Sequence, residues 1–468
     1  IIVWVVRQKQ NDSADYFLGG RDATWLAIGA SIFASNIGSE HLIGLAGAGA
    51  SSGMAMAHWE IQGWMILILG WVFVPFYTRS MVYTMPEFLE RRYNPQSRTI
   101  LSVISLVSYV LTKVAVTVYA GGLVFQQVFG IKELWGIDFF WIAAIGLVVL
   151  TALYTIFGGM KSVLYTSVLQ TPILLLGSLI ILVLGFKELG GWDEMMRVCG
   201  AVTVNDYGDT MTNLIRSNDD ANFPWLGALI GSAIIGFWYW CTDQFIVQRV
   251  LSGKNEMEAR RGTIFGAYLK LLPVFLFLIP GMIAFALHQK YIGAGGEGFL
   301  PMLANGTANA DAAFPTLVAK LLPAGVKGLV VCGILAALMS SLASLFNSSA
   351  MLFTIDFYKR FRPETPEKKL VGIGQVATVV IVILGILWIP IMRSVGDVLY
   401  TYLQDVQSVL APGIAAAFLL GICWKRTSAQ GGMWGLIAGM VIGLTRLGAK
   451  VYYSNAGEVA DSTFKYLF

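Results

Sequence analysis

The sequence predicts an all-α polytopic membrane protein, and two observations support this class. Hydrophobic residues make up 56% of the 468-residue chain and charged residues only 13%, a balance unlike that of an average soluble globular protein. Apolar stretches long enough to cross about 30 Å of hydrocarbon as helices recur along the chain. These eleven stretches lie at 24–50, 55–77, 98–129, 138–157, 163–185, 224–248, 263–288, 323–356, 371–392, 398–424 and 431–449.

The connecting loops predict the orientation of these helices. Loops rich in Lys and Arg are typical of the cytoplasmic side, and they occur at 78–98, 249–261, 356–369 and 424–430. The acid-rich loop 187–223 is therefore expected outside the cell. A formal charge of +4 without a dense basic block gives no indication of nucleic-acid binding.

The order of the helices predicts an internal repeat. The first five spans form a unit whose first helix starts on the cytoplasmic side. The next five form a unit whose first helix starts outside the cell, so a repeated five-helix unit must be inverted. Many secondary transporters have this arrangement and bind their substrate between discontinuous helices at the membrane midplane. The predicted division is 1–23 as the tail of a preceding helix with a cytoplasmic linker, 24–185 as the first repeat, 186–223 as an extracellular loop, 224–424 as the second repeat and 425–468 as truncated flanking helices.

The first helix of each predicted repeat contains a polar interruption, ASNIGSEH in the first and GFWYWCTDQ in the second. Unwinding the first would free backbone carbonyls near Ala34 and Ile37, which need partners because the bilayer core has no water. Ala337, Ser340 and Ser341 share one face of the eighth span at spacings of three and four residues. Together these oxygens suit a hard monovalent cation, although small residues on that face are equally expected from close helix packing.

The second interruption places Tyr239 and Trp240 among polar side chains, and aromatic faces together with hydrogen-bonding groups suit a neutral polyol. Polar groups in otherwise apolar spans could supply the hydrogen bonds, namely Glu60, Lys270 and Gln404. Lys270 could equally form a structural ion pair with Glu60. For Lys113, an intramembrane cation, the sequence shows no nearby acidic partner.

Six stretches of the chain carry a resemblance to a known family: DYFLGGRDATWLAIGASIFASNIGSEHLIGLAG, YTMPEFLERRY, FWYWCTDQFIVQRVLS, YLKLLPVFLFLIPGMIA, LMSSLASLFNSSAMLFTIDFY and PGIAAAFLLGICWKR. They resemble the sodium/solute symporter family and, more narrowly, its sodium/glucose cotransporter branch. The similarity runs in order over essentially the whole chain, and WYWCTDQ followed by IVQR is the branch-specific part. It implies a LeuT-type fold of two inverted five-helix repeats with discontinuous first helices and additional flanking helices.

The resemblance also implies two binding sites. The coupling ion Na⁺ would be held by the carbonyls of Ala34, Ile37 and Ala337 and the hydroxyls of Ser340 and Ser341. Asp243 and Gln244 would support the second interruption, and Tyr239 would form an inner gate under the sugar. The implied sugar site comprises Asn36, His41, Glu60, Tyr239, Trp240, Lys270 and Gln404.

Three positions depart from the family pattern, namely Ser167, Gly236 and Thr401, the last of which stands where the human-like members have an Asp. Relatives that bind a second sodium have an Asp in the fifth span, where this chain has Ser167. Gly236 stands where relatives often place a hydrogen-bonding side chain, so the exact substrate stays open. Because Ser167 stands in place of the Asp found in relatives that bind a second sodium, we expect one Na⁺ per substrate.

The sequence predicts a sodium-coupled symporter of the cell membrane that imports a neutral, glucose- or galactose-like monosaccharide by alternating access. The alternatives are a sodium symporter for another small solute, such as inositol, sialic acid or an amino acid, and a sugar sensor or sodium-leak channel of the same fold. An enzyme is not expected, because no nucleophile, base and orienting group form a recognisable motif. Besides the sugar and sodium, the expected partner is membrane lipid.

Overall fold

The structure, a computed structural model, describes residues 12–38, 40–220, 222–303, 306–395 and 399–455, without the side chains of 111, 391–405, 450, 451 and 453–455. The predicted all-helical architecture is confirmed, since the only strands in this part of the chain form one short hairpin. Nine helical runs within it are long and apolar enough to cross a membrane. This number is smaller than eleven because the first predicted span is interrupted, and because the fourth and fifth follow each other across a kink at Gly159 and count as one run.

The first half of the chain contains α1 to α11, and short stretches of tighter or wider helical turns join several of them. The helices are α1 (Ser13–Leu18), α2 (Trp25–Asn36), α3 (Ala46–Ser52), α4 (His58–Ile61), α5 (Met65–Ile68), α6 (Val74–Ser80), α7 (Met85–Arg92), α8 (Pro95–Ser108), α9 (Ala115–Phe129), α10 (Phe139–Leu189) and α11 (Trp192–Gly200). Strands β1 (Glu133–Leu134) and β2 (Ile137–Asp138) pair antiparallel between α9 and α10.

The second half of the described chain contains α12 to α21 and has no strand. The helices are α12 (Trp225–Gly236), α13 (Gln244–Leu251), α14 (Glu256–Leu269), α15 (Ile279–Gly293), α16 (Ala313–Leu321), α17 (Ala324–Met351), α18 (Lys359–Phe361), α19 (Glu367–Val395), α20 (Leu399–Cys423) and α21 (Ala429–Asn455). Residues 1–11 of the predicted segment 1–23 and residues 456–468 of the predicted segment 425–468 lie outside the described residues.

Helix α2 lies at the centre of the packing, because it contacts α10, α14 and α17. All its residues from Ala27 to Asn36 are buried. The helix ends at Asn36 because Ile37 takes an extended conformation with φ −77° and ψ 97°. A wide helical turn over Glu40–Leu45 then leads into α3. The interruption predicted at this place is therefore present, and it lies among the most tightly packed helices.

The second predicted interruption follows α12. A wide helical turn over Phe237–Thr242 extends α12, and Asp243 then becomes extended with φ −73° and ψ 126°. The Asp243 side chain accepts a hydrogen bond from the backbone of Phe245, which caps the start of α13. One residue thus both ends the first segment and begins the next.

Helix α10 is broken at Gly159, between the predicted spans 138–157 and 163–185. Gly159 has φ 54° and ψ −150°, a conformation essentially restricted to glycine. A Cβ atom at this position would lie 2.5 Å from the backbone oxygen of Tyr16. The kink therefore requires glycine for its conformation and for the close approach of α1.

We expect Gly159→Ala to lower the thermal unfolding temperature of the purified protein. The backbone conformation alone should cost about 1–3 kcal/mol, and the clash with Tyr16 adds to this. Gly146→Ala is the matched control, because Gly146 lies in the same helix with no atom within 4 Å of the added Cβ. Equal unfolding temperatures for the two variants would contradict this account of the kink.

Candidate functional site

The ammonium group of Lys270 is the centre of a buried polar cluster beside the first interruption. Its Nζ lies 2.6 Å from Glu60 Oε2 and 2.7 Å from His41 Nε2. It also donates to Asn36 Oδ1 at 2.6 Å. The four side chains are 3–6% exposed. The ammonium group is thus hydrogen-bonded to Asn36 and His41, and its charge is compensated by the Glu60 carboxylate.

The local chain conformation brings these residues together from four places in the sequence. Asn36 is the last residue of α2, and His41 lies in the wide turn that follows. Glu60 lies in the short helix α4, and Lys270 follows the last residue of α14. His41 Nε2 is also 3.2 Å from Glu60 Oε1, so the carboxylate contacts two basic side chains.

Aromatic side chains from the second interruption lie against this cluster. Asn36 Nδ2 donates to the hydroxyl of Tyr239 at 3.0 Å. The ring of Trp240 lies 5.6 Å from Lys270 Nζ. The two aromatic rings are nearly perpendicular, with centroids 4.9 Å apart. The two interruptions therefore meet here, and the cluster combines hydrogen-bonding groups with aromatic rings.

Six of the seven residues proposed for the substrate are thus brought into one region. The side chain of Gln404 lies outside the described part of the chain, because only the backbone of α20 is described there. The ion pair between Lys270 and Glu60, which the sequence left as an alternative, is present at 2.6 Å. The same polar atoms could also bind a ligand, so their assignment to a substrate stays a proposal.

The residues expected to hold sodium lie where α17 passes the first interruption. Ser341 Oγ donates to the carbonyl of Ser35 at 2.8 Å and lies 3.5 Å from that of Ile37. A Cβ atom on Gly38 would lie 2.6 Å from Ser341 Oγ, so the chain approaches α17 closely. The expected ligands Ala34, Ala337 and Ser340 are also buried, at 1% exposure each.

The donor chemistry of this region fits a hard monovalent cation. Hydroxyl and carbonyl oxygens are ligands that hard cations prefer. In the described ranges, no three His, Cys, Asp or Glu side chains form a metal-binding group. The sequence did not identify Ser35, whose carbonyl contacts Ser341 more closely than that of Ile37 does. Its place between two expected ligands, Ala34 and Ile37, is the signal that could have identified it.

The buried cation Lys113 has a partner that its sequence neighbourhood does not reveal. Its Nζ lies 2.6 Å from Asp243 Oδ2, across two distant segments of the chain. The hydroxyl of Tyr109 also donates to Asp243. Lys113 Nζ is 4.6 Å from the centroid of the Tyr239 ring. The ion pair therefore fixes the second interruption directly beside the aromatic side chains of the cluster.

The profile of the Sodium:solute symporter family matches residues 16–439. Human sodium/myo-inositol cotransporter 2 is 39% identical over 455 residues, which are 94% of this chain and 66% of that protein. Human sodium/myo-inositol cotransporter is 38% identical over 463 residues, which are 94% of this chain and 64% of that protein. The chain thus spans about two thirds of the length of these curated relatives.

A solved structure of a Na⁺-coupled sialic acid symporter, in a substrate-bound outward-open state, is similar in fold. Its TM-score is 0.77 at 21% identity, and the match covers 95% of this chain and 94% of that chain. At this identity the likeness shows the fold alone. The LeuT-type architecture expected from the sequence is thereby confirmed.

Lys113→Met and Asp243→Asn should each destabilise the fold by about 3–5 kcal/mol, because each leaves one charge of a buried pair without its partner. The double variant should lose less than the sum of the two, since neither charge then remains. Thermal unfolding of the purified protein measures this coupling. The solvent-exposed pair Arg197 and Glu194, 2.7 Å apart, is the control and should show little coupling, because solvent screens its charges. Additive losses for the Lys113 and Asp243 substitutions would contradict the pairing.

Proposed function

The chain belongs to the sodium:solute symporter family, and we propose that it is a sodium-coupled symporter for a neutral cyclic polyol, with myo-inositol as the first candidate. The family is one of transporters, which agrees with the expectation that the chain is not an enzyme. The observation that carries the proposal is the buried cluster around Lys270 where the two helix interruptions meet. The proposed substrate residues are those named from the sequence, including Gln404.

The charge balance of the cluster favours a neutral substrate. Glu60 already compensates the charge of Lys270, so a substrate carboxylate would add an uncompensated negative charge in a buried region. A hydroxyl group can accept a hydrogen bond from the ammonium and donate one to the carboxylate. His41 Nδ1 is buried and has no hydrogen-bond partner among the described residues, so it could bind a further hydroxyl.

The choice between a hexose and an inositol rests on the relatives. The names of both human relatives specify myo-inositol, which favours the alternative substrate from the sequence over the glucose- or galactose-like sugar placed first. A hexose is the second candidate because the chain resembles the sodium/glucose cotransporter branch. Both ligands present a ring of hydroxyl groups and an apolar C–H face that Trp240 could contact.

The first interruption offers a physical basis for coupling. Sodium bound at Ser341 would take up the carbonyls around Asn36, and the side chain of Asn36 contacts both Lys270 and Tyr239. Ordering the interruption would therefore favour the substrate-binding arrangement, and by linkage the substrate must tighten sodium binding by the same factor. One charge moving inward across 100 mV supplies about 2.3 kcal/mol.

We further propose one Na⁺ per substrate. Ser167, in place of the Asp found in relatives that bind a second sodium, donates to the carbonyl of Val163 at 2.6 Å and lies 3.2 Å from Ser340 Oγ. A second cation there would lack the carboxylate that offsets burial of its charge.

The cell membrane is the proposed location of the protein. A sugar sensor or a sodium-leak channel of the same fold would differ from a symporter because it would not accumulate substrate in sealed vesicles.

Lys270→Ala should weaken myo-inositol uptake by sealed proteoliposomes, because losing a hydrogen bond to a buried polyol costs about 1–3 kcal/mol. The myo-inositol concentration at half-maximal uptake should rise at least several-fold under an inward sodium gradient. Competition by glucose, galactose, proline and sialate measures the substrate preference in the same vesicles. Lys187→Ala is the control, since Lys187 is exposed. Unchanged half-saturation in the Lys270 variant would remove it from the site. Wild-type accumulation that ignores the sodium gradient would refute symport itself.

Ser341→Ala should raise the sodium concentration needed for half-maximal uptake, because the substitution removes one oxygen ligand. We expect the wild-type sodium dependence to have a Hill coefficient near one. Ser102→Ala is the matched control, because Ser102 is also buried and its hydroxyl donates to the carbonyl of Arg98. Sodium titrations of uptake measure both variants, and equal half-saturation for Ser341→Ala and wild type would show that the sodium site is placed wrongly.

A further inference from the structure

Arg249 in α13 is a fully buried cation close to the first interruption, with an exposed fraction of 1%. Its Nη2 donates to Ser35 Oγ at 2.8 Å. Its Nε lies 3.1 Å from Ser35 Oγ and 3.2 Å from Ser31 Oγ. The guanidinium thus faces two hydroxyls on the same side of α2.

Arg249 has no carboxylate within ion-pair distance among the described residues, and its Nη1 has no hydrogen-bond partner there. The buried cations Lys113 and Lys270 are both paired, with Asp243 and Glu60. The guanidinium carbon of Arg249 instead lies 4.9 Å from the centroid of the Phe245 ring, a contact that offsets only part of the cost of burying a charge without a carboxylate. Packing alone would be served better by a neutral side chain, so the positive charge calls for a functional explanation.

Short hydrogen-bonded connections join Arg249 to the proposed sodium site. Ser35 binds the guanidinium through its hydroxyl, and its carbonyl accepts from Ser341 Oγ at 2.8 Å. The hydroxyls of Ser35 and Ser344 are 2.7 Å apart, and Ser344 donates to the carbonyl of Ser340 at 2.7 Å. One residue, Ser35, therefore lies between the guanidinium and Ser341, and two residues, Ser35 and Ser344, lie between it and Ser340.

We propose that Arg249 is a fixed positive charge that weakens sodium binding at this site, so that bound sodium is released more readily. The proposal rests on the proposed function. Two like charges repel strongly in the protein interior, where the effective dielectric constant is low. The repulsion raises the free energy of the bound ion and therefore weakens its binding.

The test uses the full chain in sealed proteoliposomes with Arg249→Gln and Arg249→Lys. Removing the charge should lower the sodium concentration for half-maximal myo-inositol uptake, on the order of tenfold for a charge within several ångström. Slower sodium release should reduce net uptake into a sodium-free lumen more than equilibrium exchange with sodium and myo-inositol on both sides. Arg249→Lys keeps the charge and should stay near wild type.

Arg216→Gln is the control for loss of a buried arginine, because Arg216 is 4% exposed and lies in the predicted extracellular loop. It should leave the sodium dependence and the ratio of net uptake to exchange unchanged. An Arg249→Gln variant with unchanged or raised sodium half-saturation, or with uptake and exchange reduced equally, would show a structural role and overturn the inference.

A second pair of variants tests the charge if Arg249→Gln does not fold. Ser31→Asp places a carboxylate against the guanidinium and should lower the sodium half-saturation, whereas Ser31→Asn should not. Equal sodium dependence of these two variants would overturn the inference. Wild-type uptake without sodium dependence would refute the proposed function as well, so the two failures are distinguishable.

Discussion

The interruption of the first helix within a packed apolar interior is the constraint on which the other features of this molecule depend. Backbone groups released there have no water to bind, so the protein must provide partners. Ser341 supplies one by donating to the carbonyl of Ser35. The same feature places Asn36 and His41 in contact with Lys270. A single break in one helix thus exposes backbone oxygens on one side and polar side chains on the other.

A buried ion pair lies beside each of the two interruptions. Glu60 and Lys270 form one beside the first, and Lys113 and Asp243 form the other at the second. Asn36 connects the two regions through its hydrogen bond to Tyr239, whose ring lies near Lys113. Compensated charges can remain buried while leaving hydrogen-bonding capacity for a neutral ligand. A rearrangement of either interruption would therefore change the contacts of the other.

The features that could be predicted from the sequence are those with a local signal. Helical spans follow from apolar length, and the interruptions follow from polar residues within them. The common face of Ser340 and Ser341 follows from helical spacing. The pairing of Lys113 with Asp243 has no such signal, because it joins segments 130 residues apart. The conformation of Gly159 likewise depends on the approach of Tyr16 from another helix. The choice between an inositol and a hexose was equally beyond the sequence, since both need the same donors, acceptors and aromatic faces.

In the proposed function, the first interruption couples a cation site to a polyol site, and this coupling carries the transport cycle. It is tested most directly by calorimetric titration of the purified protein with myo-inositol at several sodium concentrations, with potassium keeping the ionic strength constant. We expect myo-inositol affinity to rise with sodium, and sodium affinity to rise with myo-inositol by the same factor. Equal myo-inositol affinity in sodium and in potassium would contradict the account.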